Sequence, residues 1–245
     1  MPAPQLILLA VCILAVAVLY SSVGHGGASG YLAVLALFSV APVAFKPTAL
    51  ILNILVSAVA TVHFTRAGHF SWRLFWPFAA ASIPFSFVGG YLTVPASVYN
   101  PLLGIVLLAS AVRLFSREDT EQAESGPPST TVALGVGAAL GFLSGLIGVG
   151  GGIFLSPLLL LMNWGNAKEA SAVAALFILI NSISGLLGHV SSLQAIPSFV
   201  PVLAATALCG GITGSFFGSR RLQGTSIVRI LSVVLTIAGI KLLLV

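Results

Sequence analysis

The stretch Gly148-Val149-Gly150-Gly151-Gly152-Ile153-Phe154-Leu155-Ser156-Pro157 interrupts an otherwise apolar run from Thr131 to Met162. A glycine inside a helix costs about 1 kcal/mol relative to alanine, so four glycines in five residues predict a break in the helix. Backbone that faces lipid cannot stay unpaired, because the hydrocarbon offers no hydrogen-bonding partner. The break is therefore expected to face protein or a water-filled cavity.

A second break of the same kind, Gly24-His25-Gly26-Gly27-Ala28-Ser29-Gly30, lies within the apolar run from Leu6 to Phe45. Glycine-broken segments in corresponding positions of two halves are typical of the substrate site of a secondary transporter. The sequence therefore predicts a binding site between the two breaks.

The composition is that of a membrane protein. Of 245 residues, 58% are hydrophobic and 6% are charged, whereas a soluble domain carries about 25% charged residues. Several windows of about 20 apolar residues lack any charge, which is the length that crosses a bilayer as a helix. We expect an all-α polytopic membrane protein. The net charge of +5 comes from Lys and Arg in short loops, which indicates topology and no nucleic-acid partner.

The apolar segments form two groups of five on either side of a polar stretch. We expect them at 5–22, 30–45, 47–64, 72–93 and 97–115, and again at 130–147, 152–164, 168–190, 197–217 and 225–244. The polar stretch 116–129 holds four of the five acidic residues. We therefore predict a first repeat at 1–115, a linker at 116–129 and a second repeat at 130–245.

A shift of the chain against itself by 124 residues supports a duplication. It places Gly24, Gly26 and Gly27 on Gly148, Gly150 and Gly151, and also pairs Pro77 with Pro201 and Gly90 with Gly214.

The positions of Lys and Arg decide between two orientations of the repeats. If each broken run is one span, eight crossings result, the repeats are parallel and the loop cations divide evenly. If the chain reverses at each break, eight cations gather on one side and two on the other. The first side then holds Arg66, Arg73, Arg113, Arg117, Lys168, Arg220, Arg221 and Arg229, and the second holds Lys46 and Lys241.

The positive-inside rule favours the uneven distribution. We therefore predict two inverted repeats, each with a broken or re-entrant first helix pair and about three further transmembrane helices. The two broken pairs are expected to meet near the membrane midplane. The N-terminus is then outside and the linker is cytoplasmic.

A helix N-terminus offers free N–H groups and the positive end of the helix dipole, so two such ends at one site would bind an anion. Polar side chains around the breaks and in the following helices complete the candidate site. The candidate substrate-binding residues are Ser22, Gly24, His25, Gly26, Gly27, Ser29, Asn53, Ser57, Ser144, Gly148, Gly150, Gly151, Gly152 and Asn181.

Each of these assignments has a structural alternative. The glycines of the breaks can serve close helix packing alone, as we expect for the stripes Gly137, Gly141, Gly145 and Gly210, Gly214, Gly218. Asn53, Ser57 and Asn181 can form hydrogen bonds between helices instead of contacting substrate. His25 can bind an anion when protonated, relay a proton, or be a buried structural histidine.

No Asp or Glu lies deep in an apolar segment. Carboxylate-based proton or metal-ion relays need such residues, so neither they nor a metal site is predicted. No motif of an intramembrane enzyme is present, and no cofactor is expected.

The segment Gly145 to Pro157 resembles the signature of the sulfite exporter TauE/SafE family. Lys168-Glu169-Ala170-Ser171-Ala172, Asn181-Ser182-Ile183-Ser184-Gly185 and Gly24-His25-Gly26-Gly27 are similar to further parts of that family, so the resemblance covers essentially the whole chain. It implies an anion exporter of the bacterial or archaeal inner membrane that handles sulfite or related organosulfur anions.

The resulting hypothesis is a transporter that exports a small anion, sulfite or a related organosulfonate, by alternating access around a midplane site. Its expected partners are that anion and the lipid bilayer, while the oligomeric state stays open. The alternative is a non-transporting membrane assembly or structural protein whose glycines only pack.

Overall fold

The computed structural model describes residues 2–38, 40, 42–92, 95–116, 126, 128–188 and 197–244. Within these ranges the chain forms ten α-helices and no strand. They are α1 (Ala3–Ser21), α2 (Ala28–Leu37), α3 (Pro42–Arg66), α4 (Trp72–Tyr91), α5 (Ala96–Phe115), α6 (Thr130–Ile147), α7 (Gly152–Leu161), α8 (Ala167–Gly188), α9 (Val200–Arg220) and α10 (Gly224–Leu244). Most of the linker predicted at 116–129 lies outside the described residues.

Six of the described helices are long and apolar enough to cross a membrane: α1, the part of α3 from Lys46 onward, α6, α8, α9 and α10. The helices α2 and α7 have ten residues each, about half the length of a span. The first helix of each broken pair, α1 or α6, is long and apolar enough to span the membrane by itself. In each broken pair only the second helix is short.

The helix bounds repeat along the chain. Both ends of α7 lie 124 residues after the corresponding ends of α2, whereas α9 and α10 begin 128 residues after α4 and α5. The offset between the two halves therefore changes between α7 and α9.

Helix bounds and contacts give different offsets for these later helices. The helix starts are 128 residues apart, whereas Gly214 packs against Val18 and Gly89 packs against Phe142, which follows Val18 by 124 residues. The pairings of Pro77 with Pro201 and of Gly90 with Gly214 therefore stay predictions.

Two glycine stripes bring helices of different halves into close contact, as the sequence predicted. Gly137, Gly141 and Gly145 of α6 lie against the backbone of Phe78, Ser82 and Ser86 of α4. Gly210, Gly214 and Gly218 of α9 lie in the same way against Leu14, Val18 and Ser22 of α1. Because the residue numbers rise together on both sides, α6 is parallel to α4 and α9 is parallel to α1.

The centre of the bundle is the crossing of α3 with α8. Asn53 of α3 contacts Ser182 of α8, while Phe64, near the other end of α3, packs with Ala172 and Ala175. These two helices are therefore antiparallel. The main interhelical contacts join α1–α5 to α6–α10, so the two halves interlock instead of forming separate bodies.

We predict that Gly141→Ala destabilises the protein and that Gly135→Ala does not. A Cβ at Gly141 would collide with the Ser82 carbonyl, whereas a Cβ at Gly135, on the same helix, meets nothing within 4 Å. Overpacking costs about 1–3 kcal/mol, or about 2–4 °C of Tm for each kcal/mol in a chain of this length. Thermal unfolding in detergent measures both variants, and equal Tm values would contradict the close packing of α6 on α4.

Candidate functional site

The two breaks have similar backbone conformations, although Gly150 is left-handed and its counterpart Gly26 is not. The residue before α2, Gly27, has φ of 98°, and the residue before α7, Gly151, has φ of 73°. This left-handed region is open to glycine and costly for other residues. The chain also turns left-handed at Gly24 and Gly148, so both breaks place the start of a short helix after equivalent turns.

His25 connects the first break to the helix that follows the second. Its Nε2 lies 3.1 Å from the carbonyl oxygen of Gly152 and 3.0 Å from the hydroxyl oxygen of Ser156. The side chain is 2% exposed, and its Nδ1 has no hydrogen-bond partner in the part of the chain that the structure describes. One ring nitrogen is therefore fixed against α7, and the other is buried and free.

Asn53 of α3 holds both breaks at once. Its Oδ1 accepts the N–H of Ala28, 3.1 Å away, at the start of α2. Its Nδ2 donates to the Val149 carbonyl at 3.3 Å and to the Ser182 hydroxyl at 2.9 Å. The amide is fully buried, and it caps one short helix while it binds the backbone of the opposite break.

A small cavity lies between the two breaks. Its empty volume is about 180 Å³, including its open margins, and its enclosed part has room for about one water molecule. The lining residues are Tyr20, His25, Gly26, Gly27, Ala28, Ser29, Val149, Ile153 and Ile178. An oxyanion such as sulfite is larger than one water molecule, so its binding requires these walls to move apart.

The walls of the cavity differ in polarity. The first half contributes His25 and Ser29, whose hydroxyl donates to the Tyr20 hydroxyl at 3.1 Å. At the same positions, 124 residues later, the second half carries Val149 and Ile153. The cavity therefore has one polar wall and one aliphatic wall.

Backbone donors come from both halves. Among the described residues, the N–H groups of Ser29 and Ile153 donate to no acceptor. The neighbouring N–H of Ala28, by contrast, donates to Asn53. Both residues lie in the first turn of a short helix and both line the cavity. N–H groups of a first helical turn have no partner within the helix, so this cavity contains two such donors.

Six predicted residues lie elsewhere. Asn181 donates to the Ser82 hydroxyl at 3.1 Å and to the Phe177 carbonyl at 2.8 Å, so it joins α8 to α4. Ser22 and Ser57 donate to carbonyls of their own helices, and Ser144 is buried without lining the cavity. Gly24 and Gly148 pack against the Ser171 backbone and the Lys46 stem. None of the six reaches the cavity.

Three glycines of the second break make room for neighbouring side chains. A Cβ at Gly150 would lie 2.6 Å from Asn53 Nδ2 and 2.8 Å from Ser182 Oγ. A Cβ at Gly152 would lie 2.5 Å from Ile178, and one at Gly151 would lie 3.0 Å from Phe177. These glycines do not line the cavity, but they allow Asn53 and α8 to approach the break.

Sequence reasoning missed several residues of this region. Ser182 and Ile178, on α8, reach the breaks only through tertiary packing, and Tyr20 lies one turn before the first break. Lys46 was counted as a loop cation, yet its Nζ donates to the Leu146 carbonyl at 2.9 Å, at the end of α6. Its spacing of two helical turns from Asn53 places both on one face of α3, which is the signal that could have identified it.

Comparisons with known proteins identify one family model and several relatives named as membrane transporters. The model of the family described as Sulfite exporter TauE/SafE matches residues 8–242. "Probable membrane transporter protein y4hK" of Sinorhizobium fredii is 41% identical over 239 residues, which cover 96% of this chain and 97% of that protein. No solved structure matches the chain.

Two more distant relatives carry similar names. "Probable membrane transporter protein YunE" of Bacillus subtilis is 26% identical over 68% of each chain. "Probable membrane transporter protein MJ0441" of Methanocaldococcus jannaschii is 26% identical over 59% of this chain and 55% of its own length.

We predict that Asn53→Ala loosens both breaks. The substitution leaves the Ala28 N–H and the Val149 carbonyl buried without a partner, and each such group costs about 1–3 kcal/mol. Amide hydrogen exchange measured by mass spectrometry should rise in peptides that contain residues 24–30 and in peptides that contain 148–153.

Ser57→Ala is the matched control for this prediction, because Ser57 lies one turn further along the same helix and bonds only to its own backbone. Its exchange pattern should match that of the wild type. Faster exchange at only one break in Asn53→Ala would contradict the double role of this amide.

Proposed function

Because the chain belongs to the sulfite exporter TauE/SafE family and is thus a membrane transporter, we propose that it exports a small oxyanion from the cytoplasm. Sulfite and small organosulfonates are the first candidate substrates. The family description names sulfite, and the hydrogen-bond donors among the residues that line the cavity suit an anion.

The observation that carries the proposal is the meeting of two helix N-termini at one cavity. The N–H groups of Ser29 and Ile153 are unpaired there within the described chain, and the dipoles of α2 and α7 add positive potential at the same point. Such an end binds oxyanions through backbone N–H groups. No carboxylate of the described residues lines the cavity, so no described acidic side chain there repels an anion.

His25 is the proposed ionisable contact. Gly152 O can only accept a hydrogen bond, so the short distance from Nε2 places a proton on that nitrogen when the two are bonded. The free Nδ1 then either accepts a proton from hydrogen sulfite or, on an imidazolium ring, donates one to the dianion. In both cases one proton is shared between His25 and the bound anion.

We propose that the two halves are inverted repeats that move relative to each other. The antiparallel crossing of α3 with α8 supports this, because these two helices correspond to each other in the predicted repeats. The short helices α2 and α7 would then re-enter from opposite sides and meet in the middle. Rocking of the halves would open the cavity alternately to each side.

The proposed orientation places the N-terminus outside and the linker in the cytoplasm of a bacterium or archaeon. It leaves eight cations on the cytoplasmic side and two outside, as the positive-inside rule requires. The interior-negative potential favours exit of an anion by about 2.3 kcal/mol per charge at 100 mV. Export therefore needs no coupling ion.

We predict that His25→Ala lowers sulfite efflux from proteoliposomes by about tenfold or more, and that Ser29→Ala lowers it less, because alanine keeps the backbone N–H. A hydrogen bond to a charged group contributes about 1.5–3 kcal/mol, and 1.4 kcal/mol corresponds to a factor of ten. The measurement is the loss of internal sulfite under an inside-negative potential.

Ser22→Ala is the control, because its hydroxyl bonds to Leu19 within α1 and does not line the cavity. It should transport like the wild type. Equal losses in all three variants, or no loss in any, would reject the cavity as the transport site.

We further predict the sidedness of three positions in a protein without Cys12 and Cys209. A single cysteine at Pro2 should react with an impermeant maleimide in intact cells, whereas cysteines at Gly68 and Gly126 should react only after permeabilisation. Both glycines have open surroundings, with nothing within 4 Å of an added Cβ. Labelling of positions 2 and 68 from the same side would contradict the inverted arrangement, since an uneven number of crossings must separate them.

A further inference from the structure

A group of basic side chains lies where α3 and α9 end together. It consists of His63, Arg66, His69 and Arg220, and we call it the arginine–histidine cluster. Nδ1 of His63 donates to the Ser215 hydroxyl at 2.8 Å, because that hydroxyl gives its own proton to the Gly211 carbonyl. Nε2 of His69 donates to the Ser219 carbonyl at 3.0 Å. Both imidazoles are therefore held against α9.

The cluster brings two arginines to the surroundings of His63. Arg66 lies in the same last turn of α3 as His63, and Arg220 contacts the Phe216 ring that His63 also contacts. The only acidic residue in the described ranges is Glu169, and its carboxylate accepts the N–H of Asn166. No described carboxylate neutralises the cluster, so a bound anion would lower the repulsion between its members.

An aromatic surface adjoins the cluster on the outside of the bundle. Arg220 lies over the Phe216 ring, with its guanidinium carbon 5.3 Å from the ring centroid, and the His63 ring meets the same phenyl group edge-on at 6.3 Å. Phe216 and Phe217 are 37% and 51% exposed, like Ile212 on the same face of α9. Apolar side chains exposed along a membrane-crossing helix face lipid, so the cluster lies at the lipid-facing edge.

We propose that the arginine–histidine cluster binds the phosphate of an anionic phospholipid, whose acyl chains lie along Phe216 and Phe217. Guanidinium groups form paired hydrogen bonds with phosphate oxygens, and basic pockets between transmembrane helices at the positively charged side bind anionic headgroups. No member of the cluster lines the cavity between the breaks. The site therefore serves a lipid of the surrounding bilayer and not the transported anion.

Binding of purified protein to phosphatidylglycerol, with phosphatidylcholine for comparison, tests the proposal. Phosphatidylglycerol should raise the Tm of the wild-type protein in detergent and stay bound in native mass spectra, whereas phosphatidylcholine should do neither. The double variant Arg66→Gln/Arg220→Gln should bind phosphatidylglycerol about tenfold more weakly or worse, because bonds to charged groups are lost. The single variant Arg220→Gln should lose part of this affinity and provides a milder substitution if the double variant is unstable.

Arg113→Gln/Arg229→Gln is the matched control, since it removes the same charge from exposed positions on α5 and α10. It should bind phosphatidylglycerol like the wild type. Equal weakening in both double variants would show a general charge effect and overturn the proposal, as would unchanged binding in Arg66→Gln/Arg220→Gln. If Arg66→Gln/Arg220→Gln lost sulfite flux in pure phosphatidylcholine liposomes but still bound phosphatidylglycerol like the wild type, the cluster would be assigned to the transported anion instead.

Discussion

The structure depends on the need to satisfy polar backbone groups inside an apolar bundle. Each glycine break exposes N–H and C=O groups that lipid cannot satisfy. Asn53 meets this need for both breaks, because it caps α2 through the Ala28 N–H and binds the Val149 carbonyl of the opposite break. His25 adds a contact from the first break to α7. The breaks are therefore stable as a pair, and their pairing holds the two halves together.

The same arrangement leaves two backbone N–H donors unused. The donors of Ser29 and Ile153 are not used by the capping contacts within the described chain, and they face a cavity with room for about one water molecule. The side chains that line the cavity also differ between the two halves, since His25 and Ser29 of the first correspond to Val149 and Ile153 of the second. The equivalent backbone thus supplies donors twice, whereas the ionisable and hydroxyl groups come from the first copy alone.

Much of the fold could be predicted from the sequence because its signals are local. Glycine clusters break helices wherever they occur, so the breaks, the ten apolar segments and the packing role of the glycine stripes followed from composition and spacing. Each break also predicts an incomplete helix beside it, as α2 and α7 are. Beyond α8 the spacing of the two halves is less regular, because α9 and α10 begin 128 residues after α4 and α5 and not 124.

The site was predictable to the level of its backbone and only partly to the level of its side chains. His25 and Ser29 lie within a break, so their position follows from the chain itself. Asn181 turns to Ser82 of α4 because of how α8 packs in the bundle, and no local pattern reveals that neighbour. The same holds for Lys46, whose partner Leu146 lies a hundred residues away in the sequence.

The central claim is that both breaks contribute to a single anion site. Selenite has the shape and charge of sulfite, and its selenium atom can be located by anomalous X-ray scattering in crystals of the wild-type protein. The account predicts one selenium peak between the start of α2 and the start of α7, within reach of His25, Ser29 and the Ile153 N–H. A peak bound to only one half, or outside the bundle, in protein that transports selenite would contradict it.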